Sequence, residues 1–164
     1  MKPEDQIELV VKTATSAWEA QNTRVNKLLD SLSEEKWLSE IAPGKNRGIY
    51  LLGHLAAVND NLIPLLGFGE KLYPQLTPVF LSNPDKSGLA SPSLDELKQY
   101  WNKINTTLSE NINRMKRAEW FERHTSVSAE DFAKEPHRNK LSVILNRTTH
   151  QSYHVGQLIL LQSK

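Results

Sequence analysis

The residues of this chain best suited to chemistry are its five histidines, His54, His124, His137, His150 and His154. His150 and His154 stand four apart, a spacing that stacks two imidazoles on one face of a helix, about 6 Å apart along its axis. Two imidazoles so placed can hold one ion. They share a stripe with Val143, Ile144, Arg147, Leu158 and Leu161, so the pair faces partner helices rather than open water. His54 follows Leu51 by three and precedes Val58 by four, which puts it on the apolar stripe of an earlier segment. Burying a histidine unpaired costs free energy, yet these three fall at apolar faces of two segments expected to pack together. A shared metal would offset that cost. Unrelated core histidines, each satisfied locally, are the plainer alternative. His124 and His137 lie among Arg123, Lys134, Glu135 and Arg138 and read as solvated loop.

Three neutral imidazoles leave a divalent ion with open positions, as a catalytic site requires. Imidazole suits several ions, and the expected order is zinc, then nickel, then iron or manganese. Such an ion lowers the pKa of water to about 7 or holds a thiol as thiolate, which serves hydrolysis or S-transfer. Candidates to assist are Asp60 and Asn61 after His54, with Asn61 two turns on and close to its face, Asn105 beside the seam of the third segment, Glu122 and Asp131 as a general base, and Gln157 as a hydrogen-bonding neighbour. The base stays unassigned. Arg147, one turn before His150, can clamp an anionic group or pair with a nearby glutamate. Gly156, inside a helix, suggests close approach by another backbone.

Four amphipathic segments must position these groups. The first runs from Pro3 to about Leu32 and the second from about Arg47 to Leu66, with Pro64 in its last turn. The third starts at Ser93, where Glu96 three residues on completes a capping box, and carries Leu97, Trp101, Ile104, Leu108, Ile112 and Met115 as a seam. The fourth spans about Asn139 to Gln162 and reads as largely buried. TPVFL around Val79 and AEWF around Trp120 are weak strand signals without partners. An all-α four-helix bundle occupying residues 1–164 as one domain follows. Its connectors, about 14, 25 and 20 residues, exceed what minimal helix hairpins need and imply crossovers or a covered site. The proline-rich stretch Tyr73 to Pro92 reads as an extended, irregular loop. Tyr73, Phe80, Trp120 and Phe121 in the connectors serve as a pocket wall over the metal or as anchors in the core.

Composition narrows the function. The 164 residues hold 20 Lys+Arg against 19 Asp+Glu, and a net charge of +1 gives no field for nucleic acid or anionic lipid. With no cysteine, disulfides, a thiolate nucleophile and Cys-based metal sites are excluded, and any reacting thiol must come from the substrate. The longest apolar runs fall far short of a membrane span, and the acidic N-terminus lacks the features of a secretory signal, so the chain reads as cytoplasmic.

The segments LLGHLAAVNDNLIPLL (51–66) and NRTTHQSYHVGQLILLQ (146–162) resemble the DinB/YfiT-like family of metalloenzymes. The resemblance implies a bundle in up-down-down-up order with long crossover connections. It implies a metal held by His54, His150 and His154, the last followed by Gly156 and Gln157, and a homodimer. Relatives include thiol transferases and isomerases that use low-molecular-weight thiols. The implied function is a divalent-metal-dependent transferase acting on a small thiol or electrophile. A metal-dependent hydrolase and a non-catalytic, metal-stabilised interaction module are the alternatives.

Overall fold

The computed structural model describes residues 2–163. It is all-helical, with 69% of residues in helix and no strand among the described residues beyond two isolated bridges, Glu40 to Arg47 and Arg123 to Asn139. Four long helices carry the core: α1 (Pro3–Ser31), α3 (Gly48–Asp60), α6 (Leu94–Arg114) and α8 (Lys140–Leu158). Between them lie α2 (Glu34–Leu38), α4 (Leu62–Leu65), α5 (Leu76–Phe80) and α7 (Ala129–Lys134), and two 3₁₀ turns, Arg117–Phe121 and Ile159–Ser163. No helix among the described residues is long and apolar enough to cross a membrane.

Three of the four long helices begin where the sequence provides a start signal. Pro3 opens α1 at a position that needs no backbone donor. Ser93 and Glu96 close the expected capping box of α6, with the Glu96 carboxylate accepting from the Ser93 N–H at 2.8 Å. Asn139 Oδ1 accepts from the Ser142 N–H at 3.0 Å to start α8. The expected second helix is broken in two. Pro64 lacks an N–H, and its ring crowds the carbonyl four residues back, at Asp60, where α3 ends. Weak strand signals proved helical: TPVF lies in α5, which interrupts a connector that is otherwise irregular over residues 81–92, as its prolines suggested, and AEWF lies in a 3₁₀ turn. Nor is α8 buried as fully as its apolar content implied, because Leu145 is exposed, as are Ile159 and Leu160 just beyond it.

Trp18 of α1, Leu52 and Leu55 of α3, Leu97, Trp101 and Ile104 of α6, and Ile144 and Leu158 of α8 meet in a common core. Phe80 and Trp120 join it, so these connector aromatics are anchors; Phe121 is exposed and Tyr73 stacks on Tyr100 at 4.1 Å. The crowded glycines are Gly48 and Gly53 rather than Gly156, and what crowds them is chiefly side chains. A Cβ at residue 48 would lie 2.6 Å from Leu161 Cδ1, and one at residue 53 would lie 2.3 Å from the Phe80 ring, whereas the space around Gly156 is open. The start of α3 therefore meets the residues following α8, and α3 and α8 run antiparallel.

Candidate metal centre

His54 projects from α3, and His150 and His154 from α8, and their rings gather at the contact between the two helices. One ligand nitrogen from each lies within 4.8 Å of the other two. His150 Nε2 is 3.3 Å from His54 Nε2 and 3.2 Å from His154 Nε2. All three side chains are half-buried.

The opposite ring nitrogens explain why these atoms face inward. His54 Nδ1–H donates to the Phe80 carbonyl at 2.9 Å, and His154 Nδ1–H donates to Gln157 Oε1 at 2.8 Å. Gln157 is itself oriented by donating from Nε2 to the Tyr153 hydroxyl at 3.2 Å. Both bonds fix the tautomer that leaves a lone pair on Nε2. His150 Nδ1 is buried with no partner. Burial, then His154, His54 and Arg147, push the His150 pKa down to about 4, so at neutral pH the ring is uncharged. Burial likewise lowers that of His154, partly opposed by its bond to Gln157. The three rings thus aim at one point. Even if His150 carries its proton on Nε2, a single hydrogen must serve two lone pairs, and its Nδ1 is left without a donor. A cation resolves the arrangement. Metal–nitrogen bonds of about 2.0–2.1 Å at tetrahedral angles place ligand nitrogens about 3.3 Å apart, matching the two close pairs.

The other candidates divide. Gln157 touches the cluster through His154 and does not reach a neighbouring helix. Arg147 meets no glutamate; its charge bears on His150. Asn61 makes no bond to the histidines, and its Oδ1 is buried without a partner. The Asp60 carboxylate accepts from the N–H groups of Leu72 and Tyr73 at 2.8 and 2.9 Å, so it holds the following loop. Glu122 pairs with Lys140, and Asp131 caps α7 through Ser128. His137 is exposed as expected, but His124 is half-buried with Nδ1 enclosed, and burial followed by Arg138 lowers its pKa.

Beside the cluster runs a chain of amides that the sequence reading missed. Gln151 Nε2 donates to Asn22 Oδ1 at 2.8 Å, Asn59 Nδ2 donates to Asn105 Oδ1 at 2.9 Å and to Gln151 Oε1 at 3.4 Å, and Asn105 Nδ2 donates to the Trp101 carbonyl. One amide comes from each long helix. Asn59 and Gln151 are only 1% exposed. Polar residues at core-facing helix positions were the available signal, and of the four only Asn105 drew notice.

A family model described as DinB superfamily matches residues 17–158. The chain belongs to the DinB superfamily. Members of this superfamily bind metals, in keeping with the three-histidine group. Among solved structures, the DinB-like chain resembles a conserved protein from Enterococcus faecalis, with a TM-score of 0.62, 15% identity, and coverage of 93% of this chain and 97% of that one. No curated protein matches it.

Proposed function

We propose that this DinB-superfamily chain is a divalent-metal-dependent enzyme whose ligands are His54, His150 and His154, and that it transfers a small thiol to an electrophile. The observation carrying this reading is the convergence of three lone-pair nitrogens, two pairs of them 3.2 and 3.3 Å apart, with Nδ1 of His54 and His154 already committed. Zinc or nickel suits an all-imidazole set best, with iron or manganese behind. Bound there, the ion would hold a thiol as its thiolate at neutral pH. The chain's residues would orient the rings, exclude water from one side and leave the opposite side to substrate. Each carboxylate considered as a general base is engaged elsewhere, which favours a thiol nucleophile over a hydrolase's activated water.

The same proposal takes residues 1–164 as one domain with its long helices in up-down-down-up order. The pairings of Asn22 with Gln151, His54 with His150, and Asn26 with Trp101 support that order. It also includes a homodimer, supported by the exposed apolar residues Leu9, Val10 and Leu145 along α1 and α8. Elemental analysis of tag-free protein tests the core of the reading. About one equivalent of metal in wild type, lost in His54→Ala and His154→Ala, is the expected result. Protein that neither carries metal nor takes up zinc or nickel would make the histidines core residues.

A further inference from the structure

Arg147 stands seven residues before His154 on α8, and Asn61 seven residues after His54 at the end of α3. Seven residues are close to two helical turns, so each shares a face with its histidine. Because α3 and α8 run antiparallel, both displacements lead in the same direction away from the histidine cluster. Neither residue is committed to the fold. Arg47, Arg117 and Arg138 each hold a carboxylate, Arg123 donates to the Val127 carbonyl, and Arg24 and Arg114 are exposed. Arg147 is half-buried, yet among the described residues no carboxylate or other acceptor lies within hydrogen-bonding distance of its guanidinium. Asn61 Oδ1 is enclosed and equally without a partner.

Charge adds to this placement. Three neutral imidazoles bring no negative charge, so an ion they hold keeps its full charge, and Arg147 adds another beside it. A planar guanidinium fork matches a carboxylate in shape as well as sign. Resting on the three-histidine thiol-transfer reading, we infer that the substrate thiol is a small thiol carboxylate. Its sulfur faces the histidine cluster and its carboxylate pairs with Arg147.

Cobalt(II)-loaded protein provides the test, because thiolate binding to cobalt adds a charge-transfer band in the near ultraviolet. The probes are two matched pairs, 3-mercaptopropionate with 3-mercaptopropanol and 6-mercaptohexanoate with 6-mercaptohexanol. In wild type at least one carboxylate should bind about tenfold or more tightly than its alcohol, as a charge-assisted pair provides. Arg147→Gln should keep its cobalt and its affinity for the alcohols while losing that preference, and Arg147→Lys should restore part of it. Thiols that bind wild type with no carboxylate preference, or a preference that survives in Arg147→Gln, would overturn the assignment of Arg147 and leave the thiol reading standing. Cobalt retained with no thiolate band from any probe, or no cobalt retained at all, would overturn the underlying reading and the inference with it.

Discussion

Phe80 closes over Gly53 so tightly that the glycine's missing side chain is part of the candidate metal centre. The ring fills the space a Cβ would take, and the carbonyl of the same residue accepts the Nδ1 proton of the adjacent His54. Gly53→Ala must therefore push α5 outward. We expect a loss of about 1–3 kcal/mol in stability, the usual cost of overpacking, measured by urea denaturation of metal-free protein. Chelator competition should also reveal weaker metal binding. Unchanged stability and affinity would mean that Phe80 moves aside freely.

Gln157 offers a cleaner test of ring orientation, because its side chain touches the cluster only through His154 and ends on a tyrosine hydroxyl. Gln157→Leu should weaken metal affinity by about 10–100-fold. Stability of the metal-free protein should change by no more than about 0.5 kcal/mol. An affinity equal to wild type would show that His154 needs no such partner.

The amide chain predicts non-additive energetics. Gln151→Leu leaves Asn22 Oδ1 without its donor and should cost about 1–3 kcal/mol. Adding Asn22→Leu to that variant should cost less than Asn22→Leu costs alone, since the orphaned group goes with it. Strictly additive losses in a double-mutant cycle would refute the coupling.

Asp85 provides a pH dependence away from the histidines. Its carboxylate accepts from the Arg47 side chain at 2.6 and 3.1 Å and from the Arg47 backbone N–H at 2.8 Å, tying the loop before α6 to the start of α3. Burial raises its pKa, but the Arg47 hydrogen bonds and charge outweigh this and hold it below the ordinary value of 3.8. A folded-state pKa below the unfolded one contributes stability above the unfolded value, and that contribution fades as pH falls through the folded one. Wild type should exceed Asp85→Asn by about 1–2 kcal/mol at pH 7, allowing for the partly exposed arginine. The gap should narrow as pH drops below about 4. A gap that is constant from pH 7 to pH 2 would contradict the assignment.

What the sequence made legible follows from the range of the interactions involved. Periodicity located the four long helices, and the capping box at Ser93 set the start of α6, because both are local properties of the chain. His150 and His154 were legible for the same reason, since helical spacing alone puts them on one face. Their meeting with His54 required an inference across 96 residues, suggested by the cost of burying polar rings and carried by the resemblance to the DinB/YfiT-like family. Gly156 misled because a helical glycine signals close packing without naming a neighbour, and the crowded glycines were Gly48 and Gly53. Phe80 was seen only as an aromatic in a connector. Its carbonyl, the atom that matters to His54, belongs to a backbone that no residue type reveals. The amides of Asn22, Asn59 and Gln151 stayed hidden because each becomes meaningful only beside the others.

That chain of amides has a mechanical consequence. Sliding any long helix by one residue would swing its amide away by about 100° and strand the others. The four amides thus act as a key cut to one alignment of the helices, and the tooth on α8, Gln151, is the immediate neighbour of His150. The centre is calibrated by the layer at its back, so a variant that loosens this key would be expected to blur the spacing of the imidazoles before it unfolds the protein.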